Sequence, residues 1–230
     1  MAAKESETEF YWGSGSFPCW RAMLCLEEKK VKYQSHLLSM DKKEHKTEEM
    51  LKLNPRGQLP IFKHGQVIIN ESVGICQYVE SAFKGQGTQL MPEELSQQAA
   101  VLQRSLEAEN VRQKMVLDTL MYMWTTKPED INQDLLKQKK QNLAQEVKYW
   151  EGHLAKQGPG SHIAGKDFSV ADATFWPSLA FLVRLGLPIQ SCCPNLAKYY
   201  EMVKQRPSVQ ETWPPHWKKA PGPDYFKDLF

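Results

Sequence analysis

The sequence predicts two domains in series, a small α/β domain over residues 1–84 and an all-helical domain over residues 95–230. Three observations predict this. Short apolar runs alternate with segments of helical period as far as Phe83. Gly85, Gly87 and Pro92 then interrupt any regular period across residues 84–94. Beyond them the β-branched runs vanish and helical spacing takes over.

Residues 9–12 read as a first strand, followed by a Gly/Ser/Pro loop over 13–18. Residues 19–30 place Trp20, Met23 and Leu24 on one helical face and end in a Glu-Glu-Lys-Lys run. Residues 33–38 are a second strand. Residues 42–53 are a polar helix pattern whose apolar positions are Met50, Leu51 and Leu53. Residues 59–63 and 67–69 are short strands joined at the His64-Gly65 turn, and 71–83 is a helix. The order is β-α-β-α-β-β-α. In the second half, residues 95–124 and 134–155 read as long helices, and 170–185 and 196–205 as shorter ones. Residues 213–230 contain four prolines and read as an irregular tail.

Composition narrows the function. Apolar residues make up 41% and charged residues 24%, ordinary for a globular chain. The formal net charge of +2 gives no electrostatic case for nucleic acid or a membrane surface. The longest apolar stretch, 179–183, is far short of the roughly 18–20 residues that a bilayer demands. Three glutamates among the first ten residues argue against a secretory leader. Five cysteines, with no C-x-x-C pair and no metal-ligand spacing, fit a reduced, cytoplasmic protein that holds no metal.

Three segments carry chemistry. In the first, Ser16-Phe17-Pro18-Cys19 is a C-x-x-C motif with serine in the leading position. A hydroxyl at a helix N-terminus can donate to a thiolate supplied by a ligand, which the helix dipole also favours. Read plainly, the same residues are an N-cap followed by a proline in the first turn. The second segment is Asn54-Pro55-Arg56-Gly57-Gln58-Leu59-Pro60. A cis bond before Pro60 would leave the Leu59 backbone free to pair with an extended peptide; the plain reading is an edge-strand proline. In the third, Asn70-Glu71-Ser72, a hydroxyl and helix N–H groups suit a carboxylate and Glu71 suits an ammonium; the plain reading is an N-cap. A thioredoxin-like sheet would gather all three segments at one edge. Together they fit a short peptide that carries a thiol.

The phrases WGSGSFPCWR, MLKLNPRGQLPIFKHG and INES resemble the cytosolic glutathione transferases over nearly the whole chain. The serine-type theta, delta and zeta classes share their motifs, and the phrases look closest to the rho class of fish and other aquatic animals. The resemblance implies a thioredoxin-like glutathione-binding domain and a helical domain carrying the electrophile pocket. The implied activity conjugates glutathione, as co-substrate, to hydrophobic electrophiles in detoxification. It implies Ser16 as the catalytic hydroxyl, with Ser14 as fallback. Ser16, Phe17, His45, Gln58, Leu59, Pro60, Glu71 and Ser72 are the implied glutathione-binding residues, Pro60 being the family's cis-proline. Phe17, Met115, Thr119, Tyr122 and Met123 are the implied electrophile contacts. Ser169 and Asp172 match the family's buried capping box, a structural feature. Gly57 and Val73 stand where delta proteins often carry histidine and arginine, so the glycyl carboxylate needs another partner among His45, Arg56 and the lysines of the second helix.

The resemblance also implies a homodimer, for which Arg104, Glu107, Glu109 and Arg112 offer charges suited to a two-fold interface. Two other functions compete. One is a carrier of hydrophobic ligands, against which the retained Ser16 argues. The other is a thiol–disulfide oxidoreductase using Cys19, which instead reads as a small buried apolar residue.

Overall fold

The computed structural model describes residues 8–230. Residues 1–7, which carry much of the argument against a leader, lie outside the described residues. The chain divides into two compact units. One runs as far as Met91 and is joined by Pro207–Ala220; the other comprises Pro92–Arg206 and Pro221–Phe230.

The first unit holds a four-stranded sheet of β1 (Thr8–Trp12), β2 (Gln34–Leu37), β3 (Ile61–His64) and β4 (Val67–Ile69). The spatial order is β2-β1-β3-β4. β2 lies parallel to β1, while β3 is antiparallel to both β1 and β4. Successive side chains of a strand point to opposite faces. Phe10 pairs with Phe62 across the sheet, and the Phe62 ring lies 5.9 Å from that of Tyr78 in α3 (Ser72–Ala82). On the other face Tyr11 and Ile61 cluster with Met50 of α2 (Glu48–Leu53). Helix α1 (Phe17–Glu28) packs beside α3, and both bury apolar faces. Just beyond α1, Lys29 is enclosed with Glu80 at 2.9 Å, and the same carboxylate accepts the Leu90 N–H at 3.1 Å. The buried charge is therefore compensated by an ion pair and a hydrogen bond.

The expected order of strands and helices is present, with three differences. The predicted helix over 42–53 is two pieces, a 3₁₀ turn at Glu44–Lys46 and α2. Lys43 adopts a left-handed conformation (φ 56°), and Thr47 is extended as the N-cap of α2, so one helix cannot run through. The third strand starts two residues later than predicted, after the cis Leu59–Pro60 bond. The end of the chain is irregular as expected, apart from one 3₁₀ turn, but residues 207–220 lie in the first unit and not in the predicted helical domain over 95–230. Helix α10, Pro207–Glu211, leads into Trp213 and a 3₁₀ turn at Pro215–Lys218, and this segment belongs to the first unit.

The second unit is helical. Its elements are α4 (Leu95–Arg112), a π-helical stretch (Gln113–Leu120), α5 (Met121–Thr125), α6 (Gln133–Gln157), α7 (Val170–Arg184), α8 (Ile189–Cys192) and α9 (Pro194–Lys204). The predicted long helix over 95–124 thus contains a widened turn, in which Thr119 Oγ1 donates to the Lys114 carbonyl five residues back at 2.7 Å. Helix α7 is enclosed on nearly every side, as its largely apolar sequence demands. Trp150 stacks on Phe175 at 4.2 Å, and Trp176 on Tyr200 at 4.9 Å. The Glu151 carboxylate accepts the Asn195 and Leu196 N–H groups at 2.8–3.1 Å, placing an anion at the N-terminus of α9.

The capping box is built as expected. Asp172 is fully buried. Its Oδ1 accepts from the Ile163 N–H (2.9 Å) and the Tyr199 hydroxyl (3.0 Å), and its Oδ2 from the Ser169 N–H and hydroxyl (both 2.9 Å). Burial pushes the carboxyl above its usual pKa range, while His162, the Ile163 N–H and the two Ser169 donors pull the other way.

Candidate active site

The sheet register collects the three segments at one edge. Antiparallel pairing of β1 with β3, through Tyr11 and Ile61, sets the end of β1 beside the start of β3. Parallel pairing of β1 with β2 brings Leu37 opposite Trp12, so both strands finish at that edge. Antiparallel pairing of β3 with β4 brings the end of β4, and Asn70 after it, to the same place. Gly13 marks the convergence: a methyl group there would lie 3.2 Å from Met40 and 3.6 Å from the Leu59 side chain.

Ser16 is the N-cap of α1, and its backbone is extended (φ −74°, ψ 118°). Its Oγ is 3.5 Å from the Cys19 N–H, at the outer limit of a hydrogen bond, so the hydroxyl is weakly engaged by its own helix. The Ser16 N–H donates to the Gly13 carbonyl at 3.2 Å and closes the loop. Ser14 is otherwise occupied, its Oγ lying 2.7 Å from His216 Nδ1. Phe17 is buried. Cys19 is only 1% exposed, and burial pushes its thiol up to about 11, against smaller opposing effects of Ser16 and the Gly13 backbone. Such a thiol is unreactive at neutral pH.

The cis-proline segment is held by Asn54, itself buried. Its Nδ2 donates to the Gln58 carbonyl at 2.8 Å, and its Oδ1 accepts the Arg56 N–H at 3.2 Å. Gln58 is left exposed, Leu59 half-buried and Pro60 buried. Asn70 Nδ2 donates to the Leu53 carbonyl at 3.1 Å and ties the third segment to the end of α2. Glu71 is the exposed N-cap of α3, and Ser72 opens the helix. His45 is drawn inward by the 3₁₀ turn. It is 9% exposed, and its buried Nδ1 has no hydrogen-bond partner.

The expected electrophile contacts divide. Tyr122 and Met123 are half-buried, and the Tyr122 hydroxyl accepts the Asn132 N–H at 2.9 Å. Met115 and Thr119 are 0% exposed. They are core residues, because the helical stripe that made them candidates is also the stripe that buries a helix. Among the described residues no cluster of His, Cys, Asp or Glu is suited to a metal ion, and no helix is long and apolar enough to cross a membrane.

Comparison with known proteins now bears on this geometry. Family models of the N-terminal and C-terminal domains of glutathione S-transferase match residues 11–87 and 115–211. Glutathione S-transferase A of the fish Pleuronectes platessa is 46% identical over 220 residues, which are 95% of this chain and 96% of that protein. The chain belongs to the glutathione S-transferase family. The crystal structure of a glutathione S-transferase from the Antarctic clam Laternula elliptica superposes with a TM-score of 0.90. Its sequence identity is 41%, over 98% of this chain and all of that one. A probable glutathione S-transferase of rice is more distant, 27% identical over 198 residues (83% of this chain, 88% of that protein). The fish and the clam are both aquatic animals, the group to which the sequence phrases pointed.

The chain is therefore a glutathione transferase with glutathione as its co-substrate. Sequence reasoning missed two parts of this transferase's candidate site. Asn54 was legible, since it stands in the quoted motif and a buried asparagine before a turn commonly bonds backbone two residues on. His216 gave no signal, because nothing in the sequence brings a histidine of the tail to a loop some two hundred positions earlier.

Proposed function

We propose that Ser16 donates a hydrogen bond to the sulfur of glutathione and holds it as the thiolate. Gln58 and Leu59 then bind its backbone, Glu71 and Ser72 its γ-glutamyl end, and His45 its glycyl carboxylate. The observation that carries this reading is the convergence of the extended Ser16 N-cap, the cis Leu59–Pro60 bond and the start of α3 at one sheet edge. A free thiol has a pKa of about 8.5 and is mostly protonated at neutral pH. Lowering it by two units takes about 2.7 kcal/mol. One hydrogen bond to a charged group supplies roughly 1.5–3 kcal/mol, and the N-terminus of α1 adds about 0.3–1 kcal/mol. The thiolate then attacks a hydrophobic electrophile, whose leaving group departs with the bonding electron pair. Free cysteines support a cytoplasmic setting.

The test sets two assays side by side. Conjugation of glutathione to a chloro-nitrobenzene is expected to proceed at the same rate in the wild type and in Cys19→Ala. Reduction of a mixed disulfide is expected to stay at background, because the Cys19 thiol is buried and held protonated. Disulfide reduction that disappears in Cys19→Ala would turn the assignment into an oxidoreductase.

We also propose a homodimer. The charges expected to meet their copies pair instead along their own helix, Arg104 with Glu107 and Arg112 with Glu109. The better support is apolar: Leu102 and Leu106 on α4 and Tyr149 on α6 are exposed, Leu106 and Tyr149 each by 64%. Light scattering at micromolar concentration is expected to give twice the 26.5 kDa chain mass, and Leu106→Glu to give the monomer. A wild-type protein that scatters as a monomer would reject the dimer.

A further inference from the structure

We propose that His216 is a positioning residue for the thiolate site, acting through Ser14 on the loop that carries Ser16. The inference rests on the assignment of Ser16 above and extends the site to the opposite end of the sequence. His216 Nδ1 lies 2.7 Å from Ser14 Oγ, a hydrogen bond in either tautomer of the ring. The ring also covers Gly15. That residue has φ +79°, and a methyl group on it would come within 2.6 Å of His216 Cε1 and 3.4 Å of the Trp217 indole nitrogen. Glycine is thus required twice at position 15, by backbone conformation and by the closeness of the tail.

His216 is itself exposed, but the segment that carries it is well anchored. Trp217 beside it is buried and meets Trp20 edge-on at 5.3 Å, and Trp213 meets Trp20 in the same way at 5.6 Å. The Trp20 indole N–H donates to Thr212 Oγ1 at 2.8 Å, and that hydroxyl donates to the Ser208 carbonyl at 2.6 Å. The backbone N–H of the same Trp20 donates to the Ser16 carbonyl at 2.9 Å. The first turn of α1 is therefore gripped on one side by the tail and on the other closes the Ser16 loop. A hydroxyl that stabilises a thiolate must be held within a fraction of an ångström of its productive place, and loops reach such precision only through supporting contacts. His216 and Ser14 supply that support for residues 13–16.

The experiment is a double-mutant cycle in the glutathione conjugation assay, with melting temperatures measured throughout. His216→Ala is expected to lower kcat about fivefold, with KM for glutathione changed less than about twofold, because the lost effect falls on the ionised sulfur. The acid limb of the pH profile of kcat/KM for the electrophile at saturating glutathione, which follows ionisation of the bound thiol, is expected to move to higher pH. Ser14→Ala is expected to have the same effects, and the double variant to be no slower than either single one. His216→Asn, whose amide reaches the place of Nδ1, is expected to restore most of the rate. Unchanged kcat and pH profile in His216→Ala would overturn the inference. So would a slow His216→Ala beside a normal Ser14→Ala, or losses that multiply in the double variant. Ser16→Ala in the same series separates the two assignments: normal turnover there overturns both, whereas a slow Ser16→Ala beside a normal His216→Ala overturns the role of His216 alone.

Discussion

Ser16→Ala is expected to lower turnover at least about tenfold, equivalent to about 1.4 kcal/mol in the barrier, while glutathione affinity changes less. The affinity should survive because the proposed peptide contacts at Gln58, Leu59, Glu71 and Ser72 belong to other segments, held by their own hydrogen bonds at Asn54 and Asn70. Stability should also be nearly maintained. The cap bond from Ser16 to the Cys19 N–H is long, at 3.5 Å, so little is lost with it. The decisive measurement is kcat and KM for glutathione in Ser16→Ala and Ser14→Ala. Ser14→Ala is expected to be the milder variant, since its hydroxyl is engaged by His216. If Ser14→Ala is silent and Ser16→Ala active, the thiolate donor is Ser14.

Asp172→Ala is expected to cripple folding and leave the chemistry of whatever folds intact. The variant would strand four donors that now converge on one buried carboxylate: the Ile163 and Ser169 N–H groups and the Ser169 and Tyr199 hydroxyls. Each unsatisfied buried donor costs about 1–3 kcal/mol, so the total exceeds the roughly 0.5–2 kcal/mol of an ordinary lost cap. At about 2–4 °C per kcal/mol for a chain of this size, even the lower bound of about 4 kcal/mol for four donors lowers Tm by roughly 8–16 °C. Soluble yield should fall with it, and glutathione affinity of the folded fraction should match the wild type. An alanine variant that melts normally but has lost activity would place Asp172 in the active site.

The legible parts of this structure were those fixed by local rules. Period and composition located the helices and strands, and Ser16, Pro60 and Ser72 could be assigned to one sheet edge because each follows a strand, enters one or opens a helix. The parts that were not legible depend on long-range packing. Nothing local distinguishes Met115 and Thr119, which are core, from Tyr122 and Met123, which keep some exposure, because the same stripe of spacing carries all four. His45 is singled out by the resemblance alone, and nothing local shows that Lys43 and Thr47 break the predicted helix and turn the ring inward. What the tail packs on was not legible for a related reason: four prolines signal the absence of a long helix, and say nothing of whether Trp213 and Trp217 have found Trp20.

The return of residues 207–220 to the first unit also governs when that unit can be finished. Chains emerge from the ribosome N-terminus first, at about 5–20 residues per second. Trp20 and the threonine that accepts its indole N–H are 192 positions apart, so the two are separated by roughly 10–40 s of synthesis. The nascent sheet and its helices wait through that interval with Trp20 uncovered, while residues 92–206 of the helical unit are translated. The half of the protein begun first is sealed only after most of the other half has been made.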